Sequence, residues 1–291
     1  MQKVLFLTTA HHFDDDRIFF HQAKTLAEEG FEVKISSLSS DFQENVDGVQ
    51  IESYPILENT VQEKIESFKK ICTSFQPDCI ICSEPVAVFA AKQYRKKKKT
   101  SIIYDITEWY PSMSMLENYS YPAKIFHAVK FFLVQLYAGF LSTYFIFGEE
   151  TKKFLAYFFP FKKSMILPYY PDKKYVVSNP KKLTSDKITL CYTGALSEDK
   201  GIGNFFKAVD VLRKKIPETT IKLLIVGAAR KESDEDYFKN LLSEYNFEHI
   251  EVRKPTSFKH FTETFADADL CFDLRELNFE NNHSVPIKLF Y

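Results

Sequence analysis

The chain has 291 residues, which is long for one domain and suits two. Its residues are 45% hydrophobic and 26% charged, so it can bury sizeable cores and is neither disordered nor of low complexity. Because the net charge is only −1, the overall charge gives no strong attraction to nucleic acid, and we expect no nucleic-acid partner. Five scattered cysteines, an odd number, are typical of a reduced cytoplasmic protein.

The first half of the chain opens with a strand, a loop, a helix and a second strand. Residues 3–8 predict the first strand, 17–29 an amphipathic helix and 31–36 the second strand. The loop between the first strand and the helix contains three aspartates, of which Asp15 or Asp16 is expected to cap the helix. With further strands predicted at 79–82 and 101–105, this succession indicates a parallel sheet.

Two features of the first half could be mistaken for functional motifs. Cys79 and Cys82 have the spacing of a redox or zinc half-motif, but alternation along a buried strand points their sulfurs to opposite faces, so we expect core cysteines. Residues 131–147 carry no charge and reach the short limit of a membrane span. The helical spacing of Ile125, Val129, Phe132, Leu136 and Phe140 predicts a buried helix from there to about Leu141 and then a strand at 144–147, with a membrane span as the alternative.

The second half repeats the opening pattern. Residues 187–193 predict a strand, 194–203 a glycine-containing loop, 204–215 a helix and 221–227 the next strand, with later strands at 249–253 and 270–274. We therefore predict two domains, 1–172 and 183–291, joined by a linker at 173–182 that contains four lysines and Pro180. The last residues read as the first turn of a helix, so the second domain is expected to be incomplete.

Three loops could carry chemistry. Gly194 and Gly201 let a phosphate approach the backbone at a helix N-terminus, where Lys200 adds a positive charge; the alternative is a simple turn. Acidic and aromatic side chains follow the strand at 101–105, where open α/β sheets bind ligands, although an ordinary turn would also explain them. The residues there are Asp105, Thr107, Glu108 and Trp109, the last offering a stacking face. In the loop at 280–288, Ser284 is placed to cap a helix that could hold a diphosphate.

Four segments in order resemble glycosyltransferase family 4, whose members are retaining enzymes with two facing Rossmann-like domains of the glycosyltransferase B type. The segments are Asp16-Arg17 with the helix and strand that follow, Tyr104-Asp105-Ile106-Thr107-Glu108, Tyr192-Thr193-Gly194-Ala195-Leu196 with Lys200-Gly201, and Ser284-Val285-Pro286-Ile287-Lys288. The resemblance covers nearly the whole chain. It implies transfer of a hexosyl group from a nucleotide-sugar donor to a glycan or lipid-linked acceptor, as in polysaccharide biosynthesis.

The resemblance also implies roles for particular residues. The donor would be bound in the second domain by Gly194, Lys200, Gly201, His283, Ser284, Val285 and Lys288. The acceptor would be bound in the first domain by His12, Asp16, Arg17 and Trp109, with Asp105, Thr107 and Glu108 as catalytic residues. It implies no metal and no cofactor besides the nucleotide-sugar substrate, because lysine and backbone N–H groups can stabilise the departing diphosphate.

Some positions depart from the family pattern. The family commonly has His where Thr107 stands, Arg where Ala195 stands, and a pair of glutamates that would fall on His283 and Tyr291. The alternatives are therefore a non-catalytic glycosyltransferase-like protein and a sugar-nucleotide epimerase. An NAD-dependent oxidoreductase is disfavoured, because no G-x-G-x-x-G follows the first strand.

The expected location is the cytoplasm, at the inner face of the cell membrane. A basic run at 95–99 lies near many aromatic residues in the sequence. Such a run is usually a solvated helix end, and peripheral contact with anionic lipid is the alternative.

Overall fold

A computed structural model describes residues 1–95, 99–106, 108, 110–117, 119–169, 173–177 and 179–283. The chain divides into two compact units, Met1–Tyr169 and Tyr170–Tyr291. Each unit has its own sheet and its own hydrophobic core. The predicted site residues Thr107, Trp109, Ser284, Val285 and Lys288 lie outside the described residues.

The first unit is built on an eight-stranded sheet with the order β3-β4-β2-β1-β5-β6-β7-β8. Its strands are β1 (Lys3–Thr8), β2 (Glu32–Ser37), β3 (Asn45–Val46), β4 (Val49–Ile51), β5 (Cys79–Cys82), β6 (Ser101–Ile106), β7 (Tyr144–Phe147) and β8 (Ser164–Ile166). Strand β3 pairs antiparallel with β4, and the other described pairs are parallel. Parallel strands need helical crossovers, which here cover both faces of the sheet.

A π-helical segment, Asp16–Ala23, leads into the first α-helix, α1. The α-helices of this unit are α1 (Lys24–Glu28), α2 (Val61–Phe75), α3 (Pro85–Arg95), α4 (Met113–Leu116) and α5 (Tyr121–Leu141), and a 3₁₀ segment follows at Glu150–Phe158. Thr60 and Glu63 form a reciprocal capping box that starts α2. Side chains of α2 and α3 pack on one face of the sheet, and those of the π-helical segment pack on the other.

The two cysteines of β5 confirm the predicted alternation. Cys82 is buried in the core beneath α2 and α3, whereas Cys79 packs against the core on the opposite face. Burial raises the pKa of Cys79 to about 11, so its thiol stays protonated at neutral pH. Both are free cysteines of the core.

The prediction that the helix at 125–141 is buried is wrong. Of its 21 residues, the structure buries Gln135, Ala138 and Gly139. By length and composition α5 is long and apolar enough to cross a membrane, and it is the one such helix in the described part of the chain. The sequence misled because periodicity shows which residues are apolar but not which medium covers them.

The second unit has a four-stranded parallel sheet with the order β11-β10-β9-β12. Its strands are β9 (Lys187–Thr193), β10 (Thr220–Val226), β11 (Ile250–Arg253) and β12 (Leu270–Phe272). Its helices are α6 (Ile202–Lys215), α7 (Glu232–Tyr245) and α8 (Phe279–Asn282), with 3₁₀ turns at Lys173–Tyr175, Phe258–His260 and Thr262–Phe265. Helices α6 and α7 cover one face, and the segment around Phe265 and Ala268 packs on the other. The predicted α/β class is confirmed.

Candidate functional site

The strand order marks one crevice in each sheet. Strand β1 lies between β2 and β5, and β9 lies between β10 and β12. The next strand of the chain therefore pairs on one side of β1 or β9, and a later strand pairs on its other side. Loops at the carboxyl ends of such strands part in opposite directions, and ligands of open α/β sheets bind in the crevice that results. We call the loops after β1 and β5 the first-unit site, and the loops after β9 and β12 the second-unit site.

The second-unit site is built around Gly201, the residue at which α6 begins. Its φ is 82°, in the left-handed region that glycine adopts without strain. A Cβ on Gly201 would lie 1.9 Å from the carbonyl oxygen of Leu274, in the segment after β12. Glycine is therefore required at this position for two reasons, its backbone conformation and the close approach of the two loops.

Hydrogen bonds hold these two loops together. Within the loop after β9, the buried hydroxyl of Tyr192 lies within hydrogen-bonding distance of the carbonyl oxygens of Ala195 (2.7 Å) and Lys200 (3.0 Å), which share its one proton, and burial raises the pKa of Tyr192. The Asn204 amide donates to Leu274 O at 3.0 Å, and Asn281 Nδ2 lies 3.4 Å from Asp199 O. The structure thus brings the predicted residues Lys200 and Gly201 beside the segment that leads to His283, which is half-buried. The third predicted residue, Gly194, donates its N–H to Val226 O at the end of β10.

Lys200 is partly exposed and lies 3.0 Å from Asp199 Oδ2. Burial raises the pKa of Asp199, but hydrogen bonds from Ser197 and Lys200 outweigh it and the net pKa is lowered. No side chain among the described residues caps α6 at Gly201. A helix N-terminus beside a movable lysine can bind an anion, provided that Lys200 exchanges Asp199 for the ligand.

The first-unit site contains a charged histidine that the sequence reasoning did not select. His11 Nδ1 lies 3.1 Å from Asp15 Oδ2, and its Nε2 lies 3.9 Å from Glu84 Oε1. The hydrogen bond to Asp15 raises the pKa of His11 to about 9; burial opposes this, while the charges of Asp15, Glu84 and Glu108 add to it. His11 is therefore a cation at neutral pH.

Glu84 fastens the loop after β1 to the end of β5. It accepts hydrogen bonds from the Thr8 hydroxyl (3.0 Å), Thr9 N (2.9 Å) and Ala10 N (3.3 Å). Burial raises the pKa of Glu84, against the lowering effect of His11 and these donors. The sequence contains a signal for Glu84. This acidic residue follows the predicted strand at 79–82, in the same way that Asp105 ends the next predicted strand, at 101–105.

Asp15 caps the helix, as predicted. Its carboxylate accepts from the backbone N–H groups of Arg17 and Ile18, both at 3.1 Å. Burial alone would raise the pKa of Asp15, but the bond from His11 and these N–H groups lower it. Asp15 therefore caps the helix and also pairs with the His11 ring.

The structure buries Asp105 and Arg17 against each other. Arg17 donates from Nη2 to Asp105 Oδ1 (2.9 Å) and from Nε to Oδ2 (3.1 Å), and Gln22 donates to the same Oδ2 at 2.8 Å. Asp105 is 3% exposed and Arg17 is 7% exposed, and Arg17 Nη1 also donates to Leu167 O at 2.9 Å. The pair therefore ties the start of the helical segment at Arg17 to the end of β6. Direct contact of either residue with a substrate stays a prediction.

The other predicted residues of the first unit lie nearer to solvent. His12 is exposed and hydrogen-bonds Asp14. Asp16 is half-buried; burial and the charge of Asp15 raise its pKa, against a hydrogen bond from Tyr169. Glu108 is exposed. In the described part of the chain, no group of three or more His, Cys, Asp or Glu side chains is arranged to hold a metal ion.

The fold is similar to those of several solved structures. Sucrose-phosphate synthase from Thermosynechococcus elongatus matches 95% of this chain and 77% of its own at a TM-score of 0.67, with 15% identity. Anabaena HepE, in complex with UDP and glucose, matches 93% of this chain and 73% of its own at 0.61, with 13% identity. The chain has the glycosyltransferase B fold. The predicted fold of two Rossmann-like domains is therefore confirmed.

The same fold also occurs with another activity. UDP-GlcNAc 2-epimerase from Neisseria meningitidis, bound to UDP-GlcNAc, matches 93% of this chain and 77% of its own at a TM-score of 0.54, with 14% identity. No family model matches the sequence, and no curated protein matches it. At these identities the likeness shows the fold alone.

Proposed function

We propose that the chain is a glycosyltransferase of family 4, which transfers a hexosyl group from a nucleotide-sugar donor to a glycan or lipid-linked acceptor. The observation that carries this is the second-unit site, where the uncapped start of α6 lies beside Lys200 at the switch point of the sheet. The likeness in fold to HepE, whose structure contains UDP, supports a nucleotide donor. The family resemblance adds to this proposal a role in polysaccharide biosynthesis, in the cytoplasm at the inner face of the cell membrane.

In the reaction, the bond between the sugar and the diphosphate breaks and a bond to an acceptor oxygen forms. The proton of the acceptor hydroxyl passes to an oxygen of the departing diphosphate, and the configuration at the sugar carbon is retained. Negative charge grows on the departing diphosphate, where the first-turn N–H groups of α6 and Lys200 would stabilise it without a metal. The family resemblance adds His283, Ser284, Val285 and Lys288 as donor-binding residues.

We place the acceptor at the first-unit site. His11 lies there and Glu108 is exposed nearby, so an acceptor hydroxyl could donate a hydrogen bond to the Glu108 carboxylate. His12, Asp16 and Trp109 are proposed to bind the acceptor, and Thr107 and Glu108 to act near the reacting atoms. The buried pair of Arg17 and Asp105 would hold the neighbouring helix start in position.

The activity is tested by incubating the purified chain with UDP-, GDP- and ADP-hexoses labelled in the sugar, with glycan and lipid-phosphate acceptors. We expect one donor to yield labelled product, with kcat/KM at least about tenfold lower in Lys200→Ala, since a charge-assisted contact to phosphate is lost. Lys187→Ala, at the opposite end of β9, is the matched control and should behave as the wild type. Absence of both transfer and nucleotide release with every donor would refute the proposal.

The second candidate is a sugar-nucleotide epimerase, which the fold of the Neisseria enzyme favours. An epimerase converts its nucleotide-sugar without an acceptor, so NMR of the donor mixed with the chain alone distinguishes the two. A new epimer would favour this candidate. A third outcome, nucleotide binding without any turnover, would favour a non-catalytic glycosyltransferase-like protein.

A further inference from the structure

Helix α5 presents a continuous apolar stripe to solvent. Six large apolar side chains at helical spacing are exposed along it: Ile125, Phe126, Val129, Leu133, Tyr137 and Phe140. An open apolar groove runs along this stripe between Phe126 and Tyr137. An apolar helix face is normally buried, whereas the buried residues of α5 in the described structure are Gln135, Ala138 and Gly139, on the opposite side of the helix.

The stripe continues onto the segment that follows β7. Phe158 packs edge-on against Phe132 of α5 with ring centroids 5.8 Å apart, and Tyr157, Phe161 and Met165 are exposed beyond it. In the described structure, thirteen of the twenty-one exposed large apolar side chains lie between Tyr119 and Met165. This concentration, which we call the α5 surface, is typical of an interaction site rather than of scattered surface residues.

The part of the sequence that forms the α5 surface carries a positive net charge. Residues 119–166 contain six Lys and two Glu, a net charge of +4, in a chain whose total is −1. Within 119–148 the sequence has Lys124 and Lys130 and no acidic residue. Exposed aromatic rings flanked by lysines suit the boundary between lipid headgroups and acyl chains, where rings are buried and lysines reach anionic headgroups.

The topology keeps α5 on the sheet. It is the crossover between β6 and β7, which are hydrogen-bonded neighbours in the same parallel sheet. Lys162 donates to the carbonyl oxygens of Phe140 (2.7 Å) and Ser142 (2.6 Å), which fastens the C-terminal end of α5 to the body of the unit. A helix crossing a bilayer would have to leave the sheet and lose these bonds.

We propose that the α5 surface docks the chain onto a membrane containing anionic lipids, with α5 lying in the interface and not crossing it. A second copy of the chain is a poorer occupant, because two such surfaces would bring like charges together. The inference does not rest on the proposed function, since it uses neither candidate site.

The test is co-sedimentation of the purified chain with vesicles of phosphatidylcholine alone, or with one third phosphatidylglycerol. We expect binding to the anionic vesicles that weakens with added salt. Phe126→Ser with Leu133→Ser should reduce the bound fraction at least about tenfold, because two apolar side chains leave the lipid. Val61→Ser with Leu277→Ser removes two apolar side chains of similar exposure elsewhere and should bind as the wild type.

A second pair of variants tests whether the lysines of α5 contribute to membrane binding. Lys124→Glu with Lys130→Glu leaves the apolar stripe intact and should also lower binding to anionic vesicles. The proposal fails if the wild type binds neither vesicle, or if the apolar variant binds as well as the wild type. A dimer that the apolar variant dissociates would instead identify a second copy as the occupant, and resistance of the membrane-bound chain to alkaline carbonate would show a span.

Discussion

Arg17 and Asp105 form a buried ion pair whose loss should be felt as lost stability. In Arg17→Ala the Asp105 carboxylate would remain buried with Gln22 as its one side-chain donor among the described residues. Breaking a buried pair in this way costs about 3–5 kcal/mol, so we expect the free energy of unfolding from urea titration to fall by about that amount. Lys153→Ala removes an exposed ion pair with Glu150 and should cost less than about 1 kcal/mol. Equal losses in the two variants would contradict the buried-pair assignment.

The pKa of His11 is the second residue-scale prediction. A side-chain NMR titration should place it near 9 in the wild type, above the ordinary value of 6.5, because Asp15 accepts its hydrogen bond. In Asp15→Asn the pKa should fall towards 6.5, because both the bond to a carboxylate and its charge are lost. A wild-type value near 6.5 would show that His11 and Asp15 are not paired in solution.

The raised pKa of His11 also gives stability a pH dependence. Because the folded-state pKa is above the unfolded one, the contribution is fully present below about pH 6.5 and is lost as the pH rises through about 9. The melting temperature of the wild type should therefore fall over this interval relative to that of His11→Gln. A constant difference between the two proteins across the interval would contradict the linkage.

Among the elements, the loop that starts α6 makes the sharpest steric prediction. In Gly201→Ala the new Cβ would meet Leu274 O at 1.9 Å, so the loops after β9 and β12 must separate. Gly30→Ala is the matched control, since Gly30 has a similar positive φ of 86° but nothing within 4 Å of its added Cβ. Gly30→Ala should cost about 1 kcal/mol of backbone strain, and Gly201→Ala more, with weaker nucleotide binding. Similar thermal shifts for both variants would show that the contact with Leu274 is absent.

The elements themselves were largely predictable from the sequence, and their surroundings were not. The predicted bounds of β1, β5, β7 and β9 agree with the structure, because each is a short apolar run closed by polar or turn residues. Helix α5 was located correctly at its C-terminal end, yet its predicted burial was wrong. Hydrophobic spacing determines where a helix forms, whereas the burial of that helix depends on which other elements pack against it.

At the scale of the whole molecule, both sheets place a candidate site at the same topological position. Sequence motifs pointed to the loop at Gly194–Gly201, since a glycine loop before a helix is a local signal. His11 and Glu84 were missed because their meeting depends on β1 and β5 being neighbours, which is a property of strand order. The pairing of Arg17 with Asp105 likewise joins positions 88 residues apart, and no local pattern indicates it.

The central claim is that the second unit binds the diphosphate of a nucleotide through Lys200 and the start of α6. Calorimetric titration of the purified chain with UDP, GDP and ADP tests it most directly. We predict saturable binding of one nucleotide, weakened at least about tenfold by Lys200→Ala, because one charge-assisted contact is lost, and unchanged by Lys187→Ala. Binding of none of the three, or binding that Lys200→Ala leaves unchanged, would contradict the account.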